Sequence, residues 1–132
     1  KTMRIKSYFV LLTVFASTVL FAAQDLFEQV GSAIRSGDAK TIARFFNGNV
    51  DLTIINQEEV YSKAQAEMVL KDFFAKNTPR NFSIIHQGVS KEGNKYAIGT
   101  LTTTQGSNFR TYFFVKEAGG SGFIQELRFE KD

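Results

Sequence analysis

From Asn81 to Lys131 the chain alternates apolar and polar residues with a period of two, broken by the turn-forming clusters KEGN, QGSN and AGGSG. Period two is strand periodicity, and short breaks rich in Gly and Asn connect successive strands as hairpins. The spacing predicts strands over residues 82–89, 95–104, 109–117 and 123–131. An antiparallel meander of this kind buries one face, so another part of the chain must cover it.

The preceding segment supplies the cover. Leu26, Val30, Ala33 and Ile34 recur at helical spacing, and Ser36-Gly37 ends the run. Asp38 is an N-cap candidate for a second short helix bearing Ile42, Phe45 and Phe46, closed by Asn47-Gly48. VDLTII at 50–55 reads as a strand, followed by a polar turn over 56–59 and a short Val60-Tyr61 extension. Ser62 with Gln65 three residues later forms a capping box. It opens a third helix carrying Ala66, Val69, Leu70, Phe73 and Phe74, which Asn77 and Pro79 end. The order predicts an α+β domain, three helices packed on one curved, mainly antiparallel sheet. No repeat, linker or low-complexity block interrupts it.

The first residues carry Lys1, Arg4 and Lys6, and Ser7 through Gln24 carry no charge. With the apolar stretch Tyr8 to Phe21 and the small residues Ala22 and Ala23, this layout predicts a signal peptide over 1–23 and a single domain over 24–132. Phe21 stands where a small residue is usual before a cut, so an uncleaved membrane anchor is the alternative. Its apolar run falls short of the ~20 residues that span a bilayer. No Cys follows, which excludes a lipid-bearing thiol.

The leader holds three of the 16 basic residues and none of the 13 acidic ones, leaving the remainder balanced at 13 of each. Nucleic-acid binding draws on clustered Lys and Arg, so this balance argues against it. An exported domain without cysteine must be held by packing alone, which suits a bacterial periplasmic or secreted protein.

VYSKAQAE (60–67), KDFF (71–74), FSIIHQG (82–88), YAIGTL (96–101), FRTYFF (109–114) and IQELRFE (124–130) resemble the bacterial secreted family catalogued as domain of unknown function 4783. The resemblance covers essentially all of residues 24–132. It implies a nuclear-transport-factor-2-like, cystatin-like cone and carries no assigned reaction. The wider superfamily includes ketosteroid isomerases, dehydratases and non-catalytic binding domains, so fold alone does not assign activity.

Hairpin registers estimated from the turns divide the side chains between two faces. If Glu117 pairs with Phe123 and Thr104 with Phe109, one face collects Ile85, Val89, Tyr96, Ile98, Phe109, Phe113, Val115, Phe123, Leu127 and Phe129, without charge. The helices should cover it. The other collects Phe82, Ile84, His86, Leu101, Tyr112, Phe114 and Ile124 with Arg110, Lys116, Glu126, Arg128 and Glu130. Aromatics and Arg with charges at the rim suit a protein–protein interface. A β-bulge would change either register.

His86, the only histidine, could serve as a general base, a ligand contact or a packed interface residue. The row around it offers Tyr112 or Glu126 but no pocket, so a binding or packing role is expected and no catalytic residue is assigned. His86, Tyr112, Arg110 and Arg128 are the candidate binding residues, for a second copy of the chain or another partner. Arg110 could bind an anion, or pair with Glu130 across the strands. Inside the cone, Gln87, Tyr96, Thr100 and Gln125 are candidate polar groups of a cavity for a small apolar ligand. An isomerase or dehydratase there is the alternative, with Tyr96 and a carboxylate, Asp51 or Asp72, as the working pair. One His and no Cys give no reason to expect a zinc site, and no cofactor motif occurs.

Overall fold

The computed structural model describes residues 25–132 apart from Gly119, and the expected leader lies outside them. The elements run α1 (Asp25–Ser36), α2 (Ala39–Arg44), β1 (Phe46–Ile54), β2 (Gln57–Ser62), α3 (Lys63–Lys76), β3 (Pro79–Val89), β4 (Lys95–Thr103), β5 (Asn108–Ala118) and β6 (Ser121–Lys131). Among the described residues no helix is long and apolar enough to cross a membrane.

The helix boundaries follow from local chemistry. Gly37 closes α1 in the left-handed region at φ 68°, where its missing Cβ avoids strain, and its N–H donates to the Ile34 carbonyl. Asp38 caps α2 by accepting from the Thr41 backbone N–H at 3.1 Å and hydroxyl at 2.6 Å. Those bonds hold the Asp38 carboxyl below its ordinary pKa. Ser62 and Gln65 form the reciprocal capping box of α3, each bond 3.2 Å.

The strands form one sheet in the order β2-β1-β6-β5-β4-β3. Every neighbouring pair is antiparallel except β1 and β6, which run parallel, as the long connection through α3 and the meander allows. The helices pack on one face, and the aromatic residues meet beneath them. Phe73 lies 4.9 Å from Phe129 and 5.2 Å from Phe109 between ring centroids, and Phe74 lies 5.9 Å from Phe129. Phe109, Phe113 and Phe129 are fully buried, so phenylalanine fills this interior. The buried polar residues among those described are Thr53, Thr103 and Thr111.

Three details differ from the expectation. α2 stops at Arg44, so Phe46 begins β1 instead of continuing the helix. Residues 57–62 form a full edge strand, hidden from periodicity because five of its six side chains are exposed. The hairpin loops also have other lengths. Thr102 pairs with Asn108, and the Thr103 N–H donates to the Ser107 carbonyl, closing a loop with Gly106 at φ 87°. This register differs from the expected one by three residues, an odd number, which turns β4 over.

Tyr96 and Ile98 therefore sit on the open face, not in the cone, and Leu101 sits in the core, not on the open face. A bulge between Ile84 and His86 leaves Phe82 and Ile84 packed with the core and Ile85 exposed. Val89, expected in the core, is exposed at the end of the same strand. A second bulge, between Phe114 and Val115 opposite Gln125, turns Ile124 into the core and Phe123 to the Lys116 side. The expected Glu117–Phe123 pair is replaced by Glu117–Gly122; the tighter turn and the bulge cancel, so Tyr112–Arg128 and Arg110–Glu130 pair as expected.

β3 is an edge strand, and α1 covers part of it. Arg35 donates to the Phe82 carbonyl from Nη2 at 2.9 Å and Nε at 3.3 Å, tying α1 to the backbone of this edge strand.

Candidate functional site

The open face of the sheet carries a continuous row across all six strands: His86, Ile98, Tyr112, Arg128, Thr53 and Glu58. The adjacent row reads Gly88, Tyr96, Phe114, Glu126, Asp51 and Val60. Strand pleating points both rows to the same side. The bulge at Ile85 is what brings His86 there, opposite Ile98.

At the β3–β4 end, His86 Nε2 lies 3.2 Å from the Tyr96 hydroxyl. Tyr96 reaches it by lying across Gly88, where a Cβ would come within 2.4 Å of the phenol ring. Only glycine permits that approach. Tyr96 stands 6.2 Å from Tyr112 between ring centroids, and the Arg128 guanidinium carbon stands 4.7 Å from the Tyr112 centroid. Arg128 Nε is 2.8 Å from Glu126 Oε2, but out of line for a hydrogen bond. Burial, and secondarily the charge of Glu126, raises the Tyr112 phenol above its ordinary pKa and keeps it neutral.

At the β1–β2 end, carboxylate oxygens of Asp51, Glu58 and Glu126 lie within 4.8 Å of one another. Hydrogen bonding to Asp51, and then repulsion by Asp51 and Glu126, raises the Glu58 carboxyl above its ordinary pKa. Asp51 Oδ1 and Thr53 Oγ1 are buried without a hydrogen-bond partner.

Of the expected binding residues, His86, Tyr112 and Arg128 lie in one row, and Arg110 lies on the same face between Thr100 and Glu130. The expected cavity group is dispersed. Tyr96 and Thr100 face the open side because β4 is turned over, and Gln125 is exposed beside the β6 bulge. Gln87 lines a surface cleft of about 440 Å³ between α1 and β3, with Phe27, Arg35, Phe82 and Ile84. Asp51 is on the open face, and Asp72 is exposed in an ion pair with Lys76 at 3.2 Å. Neither carboxylate enters the cone. Sequence reasoning missed Tyr96 and Ile98 on this face, for want of the β4 loop length, and the acidic trio, which depends on the parallel β1–β6 pairing.

Among the described residues the helices lie on one side of a single bulged sheet and none lies on the other, the architecture of a nuclear-transport-factor-2-like fold. The likeness extends to an NTF-2 like protein of unknown function from Silicibacter pomeroyi (TM-score 0.61, 18% identity, 86% of this chain and 96% of that one). It also extends to a domain of unknown function with a cystatin-like fold from Nostoc punctiforme (TM-score 0.66, 11% identity, 86% and 76%). Residues 27–130 match the family Domain of unknown function (DUF4783), and the chain belongs to that family. A DUF4783 family protein from Bacteroides fragilis is 32% identical, with a TM-score of 0.72 over 79% of this chain and 96% of that one. No curated protein matches the chain in sequence.

Proposed function

We propose that this is an exported, non-catalytic binding domain whose docking surface is the open sheet face and whose partner there is a second copy of the chain. The carrying observation is the strip His86, Tyr96, Tyr112 and Arg128, in which each side chain lies beside the next. Aromatic and Arg side chains at the centre of a face, with charges at its rim, are the composition of interface hot spots. The ends of the face carry both signs, Arg110 and Lys116 with Glu130, so opposite charges are available to pair between two copies. The charged leader followed by an apolar run supports export.

Disulfide trapping tests this in a chain that has no cysteine of its own. Ile98→Cys, at the centre of the face, is expected to oxidise to a covalent dimer. Met68→Cys, exposed on α3, is expected to remain monomeric. Equal trapping of both variants, or none, would count against the proposal.

A small apolar ligand is the second reading, and the α1–β3 cleft favours it. Phe27, Phe82 and Ile84 supply an apolar wall, with Arg35 and Gln87 as polar groups, in a volume within the range of ligand pockets. The isomerase or dehydratase alternative loses support, because Asp51 and Tyr96 lie outside the cone. A small-molecule adduct in native mass spectrometry, displaced by Ile84→Arg, would favour the cleft over the sheet face.

A further inference from the structure

We propose that Asp51, Glu58 and Glu126, with the Thr53 hydroxyl on the same face between Glu58 and Arg128, form a calcium-binding site at the β1–β2 end of the sheet. Three carboxylates from three different strands converge there, with oxygens no more than 4.8 Å apart. Arg128 offsets one of their charges through Glu126. A cluster of acids on a surface is common and by itself means little; the independent observation is Thr53. The residue is 6% exposed, and its hydroxyl is buried with no hydrogen-bond partner. It projects from the same face of β1 as Asp51, with Glu58 as its neighbour on β2 and Arg128 on β6. Asp51 Oδ1 is buried and unpartnered beside it.

Buried oxygen acceptors without a donor are costly, and a hard cation satisfies them together with the carboxylates. Coordination chemistry favours calcium. Calcium takes six to eight oxygens at about 2.3–2.6 Å in flexible geometry, which an irregular set of strand carboxylates, a hydroxyl and water can supply. Magnesium demands a near-ideal octahedron at about 2.1 Å and gives up its own water reluctantly. Three side-chain carboxylates on strands, with one exposed side left for water, suit the weak affinity of extracellular modules, about 0.1–1 mM. The site adjoins the aromatic strip through the Arg128–Glu126 pair, and its test reads calcium binding rather than self-association.

Calcium chloride titrated into the isotopically labelled protein at constant ionic strength tests the proposal. The expected result is saturable movement of the Asp51, Thr53, Glu58 and Glu126 amide resonances, with magnesium chloride at least about tenfold weaker. Asp51→Asn and Glu126→Gln, two variants in case one fails to fold, are each expected to weaken calcium at least about tenfold. Asp72→Asn, which alters a carboxylate away from the site, is expected to leave it unchanged. No saturable change up to about 10 mM calcium, or an unchanged response in folded Asp51→Asn or Glu126→Gln, would overturn the proposal.

Discussion

Arg128 and Tyr112 are register partners across the β5–β6 pair, and the guanidinium carbon stands 4.7 Å from the centroid of the phenol ring. Glu126 approaches the same guanidinium from the side. The cation is thus held between a ring and a carboxylate, and it holds both in place. Arg128→Met keeps the aliphatic contact and removes the charge; it is expected to cost about 1 kcal/mol in urea unfolding. An unchanged urea midpoint would mean that the stack contributes nothing.

Phe129 is fully buried and lies against both Phe73 and Phe74. Phe129→Ala is expected to destabilise the domain by about 3–5 kcal/mol, measured by chemical denaturation. It should also open an apolar void that binds benzene, since dry engineered cavities accept such ligands. Comparable benzene binding by the unaltered protein would contradict a phenylalanine-filled cone.

Gly88 is the floor on which Tyr96 lies. A methyl group at that position displaces the ring from His86, because the overlap is with the phenol itself. Gly88→Ala is expected to cost about 1–3 kcal/mol and to shift the Tyr96 and His86 ring resonances together. Unmoved ring resonances would remove glycine from the account of this site.

The Glu58 carboxyl is raised chiefly by its hydrogen bond to Asp51. The folded chain therefore holds this proton more tightly than the unfolded chain does. Its contribution is complete below the unfolded pKa of about 4.3 and is lost as pH rises through the raised folded value. In calcium-free buffer, raising pH from about 4 to 7 is expected to lower the urea midpoint of the wild type relative to Glu58→Gln. Parallel pH profiles for the two proteins would contradict the proximity of these carboxylates.

The elements legible in sequence were those set by local chemistry. Asp38, the Ser62–Gln65 box and Gly37 mark helix ends because each satisfies or relieves backbone within a few residues of itself. Strand faces were less legible, because parity depends on loop length. The Thr103–Ser107 closure turned β4 over, yet His86 still reached the Tyr112 face because the Ser90–Asn94 loop and the Ile85 bulge changed its register too. The Asp51, Glu58 and Glu126 cluster left no local trace. It arises where β1 meets β6 in parallel, a pairing far apart in the chain, and where an edge strand of exposed polar residues adds Glu58.

Sedimentation velocity of the purified protein, alongside Tyr112→Glu, tests the docking role of the open face most directly. A concentration-dependent dimer is expected for the wild type and a folded monomer for Tyr112→Glu, whose charge would be buried against the partner's aromatic strip. A wild type that stays monomeric at all concentrations, or a Tyr112→Glu protein that dimerises equally well, would contradict that role.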